Sequence, residues 1–330
     1  ARPELKKYTK KYEEGNRDKE FLNQYFILKD RSGLDCSDVL LDYFALVDDS
    51  QLLDSINVPR IGKITVFDKK LANRFVDAAC VEAANPVKDK KHSTAVNKAI
   101  CTFLSACVQK TAQADQEENF EEVLALKDRL FKATGAKNSA TAASLGGGNI
   151  YIPSELLRLN YYSAKKKLDK FNHLFINYIA ELQKKYEGSR EEKIAMLKAM
   201  EAKLKEAKES GNEAEYQAAR KLNAMMSAFS SIDDYYTSTS MIENVERYEE
   251  IYEGEKDAAY KDRVAGWYVF LHQLSPSAKT AAYVADKLLA LDKKGQAKEV
   301  LTLGLKDGSS AAGVEESDVK ACQAKLDELK

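Results

Sequence analysis

Apolar residues recur three and four positions apart along most of the chain, the spacing that gathers them on one face of a helix. Leu5, Tyr8 and Tyr12 mark a first short helix that stops at Gly15, and Phe21, Leu22, Tyr25, Phe26 and Leu28 mark a second. Between them Gly15 suits the left-handed turn that ends a helix, and Asn16 or Asp18 suits the cap of the next, so this stretch reads as a corner. The same order of helix, glycine and helix recurs around Gly33, where Asp35 or Ser37 opens a helix carrying Val39, Leu40, Tyr43, Phe44 and Val47. It recurs again around Gly211 and around Gly295, the latter in "LLALDKKGQAKEVLTLGL".

Long periodic segments fill the intervals: Leu71 to Ala83, Ser93 to Val108, Phe120 to Phe131, Leu156 to Leu182 and Met241 to Tyr252. "KITVFD" alternates briefly and fits one short strand, or a loop beside Pro59 and Gly62. Pro86 and Pro276 mark places where helices break or begin. The pattern therefore predicts an all-α chain, an irregular array of antiparallel helix hairpins. The Gly and Ala spacing near residue 295 has a tetratricopeptide-like look, but no regular 34-residue repeat runs through the sequence, so the array is degenerate.

The sharpest change of composition is "AKNSATAASLGGGN", residues 136 to 149. It separates an N-terminal helical domain, 1 to 135, from a C-terminal one, 150 to 330, or forms a loop inside one continuous array. Its glycines precede a helix but lack the Lys-Ser/Thr ending of a phosphate-binding loop, so they read as a linker.

Charge narrows the function classes. The 51 basic and 52 acidic residues are interspersed and leave a formal charge of −1, so no basic field exists to attract nucleic acid or an anionic membrane surface. The richest apolar run, Ala265 to Leu271, falls well short of the roughly 18 residues needed for a membrane span. The start at "ARPELKKY", without Met or a signal-like stretch, reads as a processed end or as a boundary inside a longer protein. Five cysteines (Cys36, Cys80, Cys101, Cys107 and Cys322) show neither Cys-x-x-Cys nor metal-ligand spacing, and read mostly as small buried hydrophobes.

Candidate chemistry is sparse, and no cofactor or metal is implied. His272 sits in "AGWYVFLHQL" beside the single tryptophan, and a carboxylate from "SSIDDYYTSTS" (Asp233 or Asp234) is the partner it would need for acid–base catalysis. The competing reading makes His272 the rim of a core and residues 230 to 240 a capped interhelical loop. Tyr235, Tyr236, Trp267 and Tyr268 are the candidate contacts for a protein or peptide, since aromatic side chains with a polar end suit interfaces.

Residues 12 to 47 carry Tyr12, Gly15, Asn16, Arg17, Asp18, Phe21, Leu22 and Tyr25. In this they resemble the helical region that accompanies the thioredoxin fold in secreted bacterial thioredoxin-like proteins. The resemblance covers about a tenth of the chain and implies a periplasmic or secreted setting, with the cytoplasm as the alternative. It implies an accessory role without redox chemistry, because the family's Cys-x-x-Cys is missing. The expectation is a non-enzymatic helical protein that binds a protein or peptide. The alternatives are a hydrolase or other enzyme with a site between helical halves, and an accessory module of a thioredoxin-like protein.

Overall fold

The computed structural model describes residues 3–85, 90–134, 148–188, 190–217, 232–252, 257–309 and 314–329. Among these residues every regular element is a helix and none is a strand, so the chain is all-α as the periodicity predicts. "KITVFD" forms no strand: residues 58–63 form a 3-10 turn containing Pro59 and Gly62, and the rest runs irregularly to the cap of the next helix. The chain divides into two compact units, Ala1–Ser154 and Glu155–Lys330. Most of the glycine-rich stretch, residues 136–147, lies outside the described residues. Ile150 and Tyr151 are buried, and Tyr151 stacks on Phe131 at 5.5 Å, so both belong to the first unit rather than to the C-terminal half.

The first unit opens with helices α1 (Pro3–Glu13), α2 (Lys19–Arg31) and α3 (Ser37–Ala45). At the first corner Gly15 takes φ 95°, and the Asp18 carboxylate accepts the N–H groups of Glu20 and Phe21. The neighbouring residues fasten this turn from outside. Arg17 lies over the Tyr12 ring at 3.8 Å and pairs with Asp42 at 2.6 Å, while the Tyr12 hydroxyl donates to the same carboxylate at 2.7 Å. Tyr8 stacks on Phe21 at 5.1 Å and closes the pair of helices on its apolar side. Helices α4 (Lys69–Ala84), α5 (Lys90–Gln113) and α6 (Glu117–Thr134) then pack on one another around Phe75, whose ring meets Phe44 and Phe103 edge-on.

The second unit contains α7 (Ser154–Ala164), α8 (Leu168–Lys185), α9 (Arg190–Glu209), α10 (Ile232–Ile251), α11 (Ala258–Leu274), α12 (Ala278–Ala290), α13 (Lys294–Gly308) and α14 (Glu316–Glu328). Most of the Ala-rich helix expected after Gly211 lies outside the described residues; 213–217 are helical. Trp267 sits edge-on between Phe175 and Tyr248, at 5.0 and 4.9 Å, and centres one core. A second forms where α12 and α13 lie against each other through small residues: Ala278, Ala281 and Ala285 on one, Ala297, Gly304 and Gly308 on the other.

Three joints differ from the sequence reading. The segment from Leu156 to Leu182 is two helices, because Lys166 takes φ 55° and the N–H groups of Lys166 and Lys167 turn back to the carbonyls of Ser163 and Tyr162. The hairpin near residue 295 turns at Asp292 (φ 62°), and Gly295 falls inside the first turn of α13. "SSIDDYYTSTS" is helical from Ile232 rather than a capped loop. It contains neither Gly nor Pro, so nothing in it breaks a helix, and its Ser and Thr lower helical propensity only modestly.

Candidate functional site

In the first unit a groove of about 400 Å³ is walled by residues 49–54, one face of α4 and the start of α5. Asp48 sets the first wall: its carboxylate accepts from both the backbone N–H and the hydroxyl of Ser50, at 2.8 and 2.7 Å, and holds the 3-10 turn of 49–51. These hydrogen bonds keep the Asp48 carboxyl below its ordinary range. Leu52 is buried beneath the turn, leaving Asp49, Ser50, Leu53 and Asp54 to face the groove.

The second wall follows from the helical repeat. Leu71, Ala72, Phe75, Val76 and Ala79 of α4 point into the core, so Arg74, Asp77, Ala78 and Val81 share the other face at spacings of three and four. Arg74 ties the two walls together. Its guanidinium bonds Asp49 and donates to the carbonyls of Phe44 (3.1 Å) and Val47 (2.8 Å), satisfying acceptors at the end of α3. Val81 is left 65% exposed. Glu82, only 7% exposed, accepts from Ser93 at 3.0 Å, while Asp77 pairs with Arg129 at 2.9 Å. His92 completes the lining. The result is an apolar floor of Leu53, Ala78 and Val81 beside four carboxylates. Arg74 is the single Lys or Arg among the described lining residues.

The residues singled out from sequence lie elsewhere, in the second unit. His272, Trp267 and Tyr268 are all buried in α11, so they build core rather than a contact surface. Asp233, Asp234, Tyr235 and Tyr236 fall in the first turns of α10, and their side chains lie outside the described residues. His272 lines neither the groove above nor a second one of about 420 Å³ bounded by Gln183, Lys184, Gly266 and Gln273.

Around Tyr268 a polar cluster joins three helices. The Tyr268 hydroxyl donates to Glu249, the Tyr283 hydroxyl donates to Glu246 at 2.6 Å, and Lys287 pairs with Glu246 at 2.7 Å. Burial, and then the adjacent carboxylates, push both tyrosines well above their ordinary values. Burial also raises the Glu246 carboxyl, but the hydrogen bonds from Lys287 and Tyr283 outweigh it and leave the group lowered. Tyrosines held protonated beside carboxylates are donors in a structural clamp across α10, α11 and α12, not bases poised for chemistry.

A lysine–serine contact in the first unit invites a nucleophilic reading, since a lysine can activate a hydroxyl. Lys127 reaches Ser154 at 2.8 Å, and Ser154 donates to Asp128 at 2.8 Å. Lys127 is 0% exposed and Ser154 3%, so no substrate reaches the hydroxyl, and the cluster satisfies a buried ammonium instead. Among the described residues no group of three or more His, Cys, Asp or Glu side chains is placed to hold a metal ion, and no helix is long and apolar enough to cross a membrane.

Sequence reasoning missed the groove. Its residues come from segments 49–54, 74–82 and 92, which only the packing of α3, α4 and α5 brings together. The one available signal was the placement of Val81 on the polar face of an otherwise regular amphipathic helix. Comparison with known protein families, with curated protein sequences and with solved structures gives no match.

Proposed function

We propose that the chain is a non-enzymatic helical scaffold that binds a peptide segment of a partner protein in the groove between residues 49–54 and α4. The observation that carries this reading is the apolar floor of half-buried Leu53 and Ala78 with exposed Val81, set in a concavity whose walls are tied together by Arg74. A pre-formed apolar depression with polar groups around it is the usual form of a recognition site. Stacked helix pairs, tetratricopeptide-like in their hairpins, present such depressions without catalytic machinery. The resemblance of residues 12 to 47 to the accessory helices of secreted thioredoxin-like proteins supports a periplasmic or secreted setting. Its residues Tyr12, Gly15, Arg17 and Asp18 serve the corner between α1 and α2.

Selection from a displayed random-peptide library tests the proposal, with Val81→Arg protein as the counter-target. The reading expects enriched peptides that bind the unaltered protein and fail on the variant, with the helical circular dichroism of both unchanged. Failure to enrich any peptide, or enrichment of peptides that bind both proteins equally, overturns it.

A further inference from the structure

Gly266 stands in the interior of α11 without an internal reason to be glycine. Gly304 and Gly308 have one: a Cβ there would lie 2.4 Å from the Ala281 Cβ and 2.1 Å from the Pro276 carbonyl oxygen. A Cβ at Gly266 would meet nothing within 4 Å, and its backbone is helical, a conformation in which glycine is less stable than alanine. Gly295 is equally unhindered, but it falls in the first turn of α13 and lines neither of the two grooves. Gly266 lines the groove of about 420 Å³ in the second unit. A glycine retained at a cost to its helix, and facing open space, admits close approach of a ligand to the backbone.

The groove runs between two helical stripes. Gly266, Val269, Phe270 and Gln273 recur at spacings of three and four on α11, and Gln183, Lys184 and Glu187 recur likewise at the end of α8. The Phe270 ring lies 6.4 Å from that of Tyr186 and ties the two stripes together. Half-buried Gln183 and exposed Gln273 make no side-chain hydrogen bond among the described residues, so each amide keeps two donors and an acceptor. Lys184 and Glu187 contribute one charge of each sign, and the described lining has no net charge.

We propose that this groove binds a sugar ring of a neutral saccharide. One C–H face of the ring lies against Gly266 and half-buried Val269, and the hydroxyls at its edge are shared between the amides of Gln183 and Gln273. A hydroxyl both donates and accepts, as an amide does, so each can satisfy the other. An apolar ligand covers both amides without pairing them. A charged ligand that pairs with Lys184 or Glu187 meets like charge at the other. The stripe from Gly266 to Gln273 spans about 10 Å along the helix axis, room for a short ligand rather than a long extended chain.

The test is isothermal titration calorimetry of the full chain with maltotriose, mannotriose and triacetylchitotriose. The neutral tripeptide acetyl-Ala-Gly-Ala-amide represents the competing amide chemistry. At least one trisaccharide is expected to bind with a Kd of about 1 mM or tighter and to shift the side-chain amide NMR signals of Gln183 and Gln273. Gly266→Ala and Gln183→Leu are each expected to weaken that binding by about fivefold, the factor for one lost hydrogen bond or close contact, with helical circular dichroism unchanged. Absence of binding by all three trisaccharides, binding unchanged by either substitution, or tighter binding of the tripeptide overturns the inference. The peptide selection turns on Val81 in the first unit and this test on Gly266 in the second, so either can fail while the other stands.

Discussion

Replacing Gly304 by alanine isolates the contact between α12 and α13. A methyl group at Gly304 would lie 2.4 Å from the Ala281 Cβ, 3.3 Å from the Ser277 carbonyl oxygen and 3.5 Å from the Ala278 Cα. None of these atoms belongs to a flexible side chain that can swing away. Carbon atoms prefer about 3.5–4.0 Å, so the two helices must part by roughly 1 Å at this level, and a gap of that size forfeits a quarter to a half of each neighbouring dispersion contact. Overpacking of this kind costs about 1–3 kcal/mol, against about 1 kcal/mol recovered because alanine favours the helix more than glycine does. The expected net change is a loss of up to about 2 kcal/mol.

Gly266→Ala is the matched control. Gly266 is interior to α11 and a Cβ there meets nothing within 4 Å, so the same substitution is expected to stabilise by about 0.5–1 kcal/mol. Urea titration followed by fluorescence reads both variants, since Trp267 is the only tryptophan and belongs to the second unit. Opposite signs are expected. If Gly304→Ala stabilises as Gly266→Ala does, the two helices do not approach as closely as described and the reasoning fails.

Further predictions concern corners, titration and thiols. Lys166→Gly relieves a left-handed residue (φ 55°) and is expected to raise stability by about 0.5–1 kcal/mol, read by thermal melting. Glu246 has a folded value below its ordinary 4.5, so its contribution is present above about pH 4.5 and is lost as pH falls through the lower folded value. Glu246→Gln should accordingly flatten the acid limb of stability measured by urea titrations across that window. Burial raises the Cys107 thiol to about 12 and the Cys101 thiol to about 11, so alkylation of the native protein at pH 8 should label the half-buried Cys80 first, and all five cysteines only in denaturant; rapid native labelling of Cys107 contradicts its burial.

The sequence carried the helices further than the joints. Corners at Gly15 and Gly33 were legible because glycine marks a positive φ, and Asp18 then identifies itself as a cap. Asp115, Lys166 and Asp292 make the same turn, each sending its own N–H and the next one back to carbonyls three and five residues earlier, yet no residue type announces them. There the packing of the flanking helices supplies what glycine supplies elsewhere. Aromatic clusters misled in the opposite direction: Trp267 and Tyr268 have the composition of an interface, but rings from other helices, Phe175 and Tyr248 at Trp267 and Tyr283 at Tyr268, pack against them and they are buried. The groove was invisible because Asp54, Arg74 and His92 are distant in sequence and individually ordinary. What unites them is where residues 49–54, α4 and the start of α5 meet, a relation that periodicity along one chain does not encode.

The account stands most directly on where a ligand lands. In a titration of the full chain with a peptide selected from the displayed library, followed by backbone amide chemical shifts, the changes should cluster at residues 49–54, 74–82 and 92 and saturate together. Shifts confined to the second unit, or scattered evenly over the surface, would contradict it.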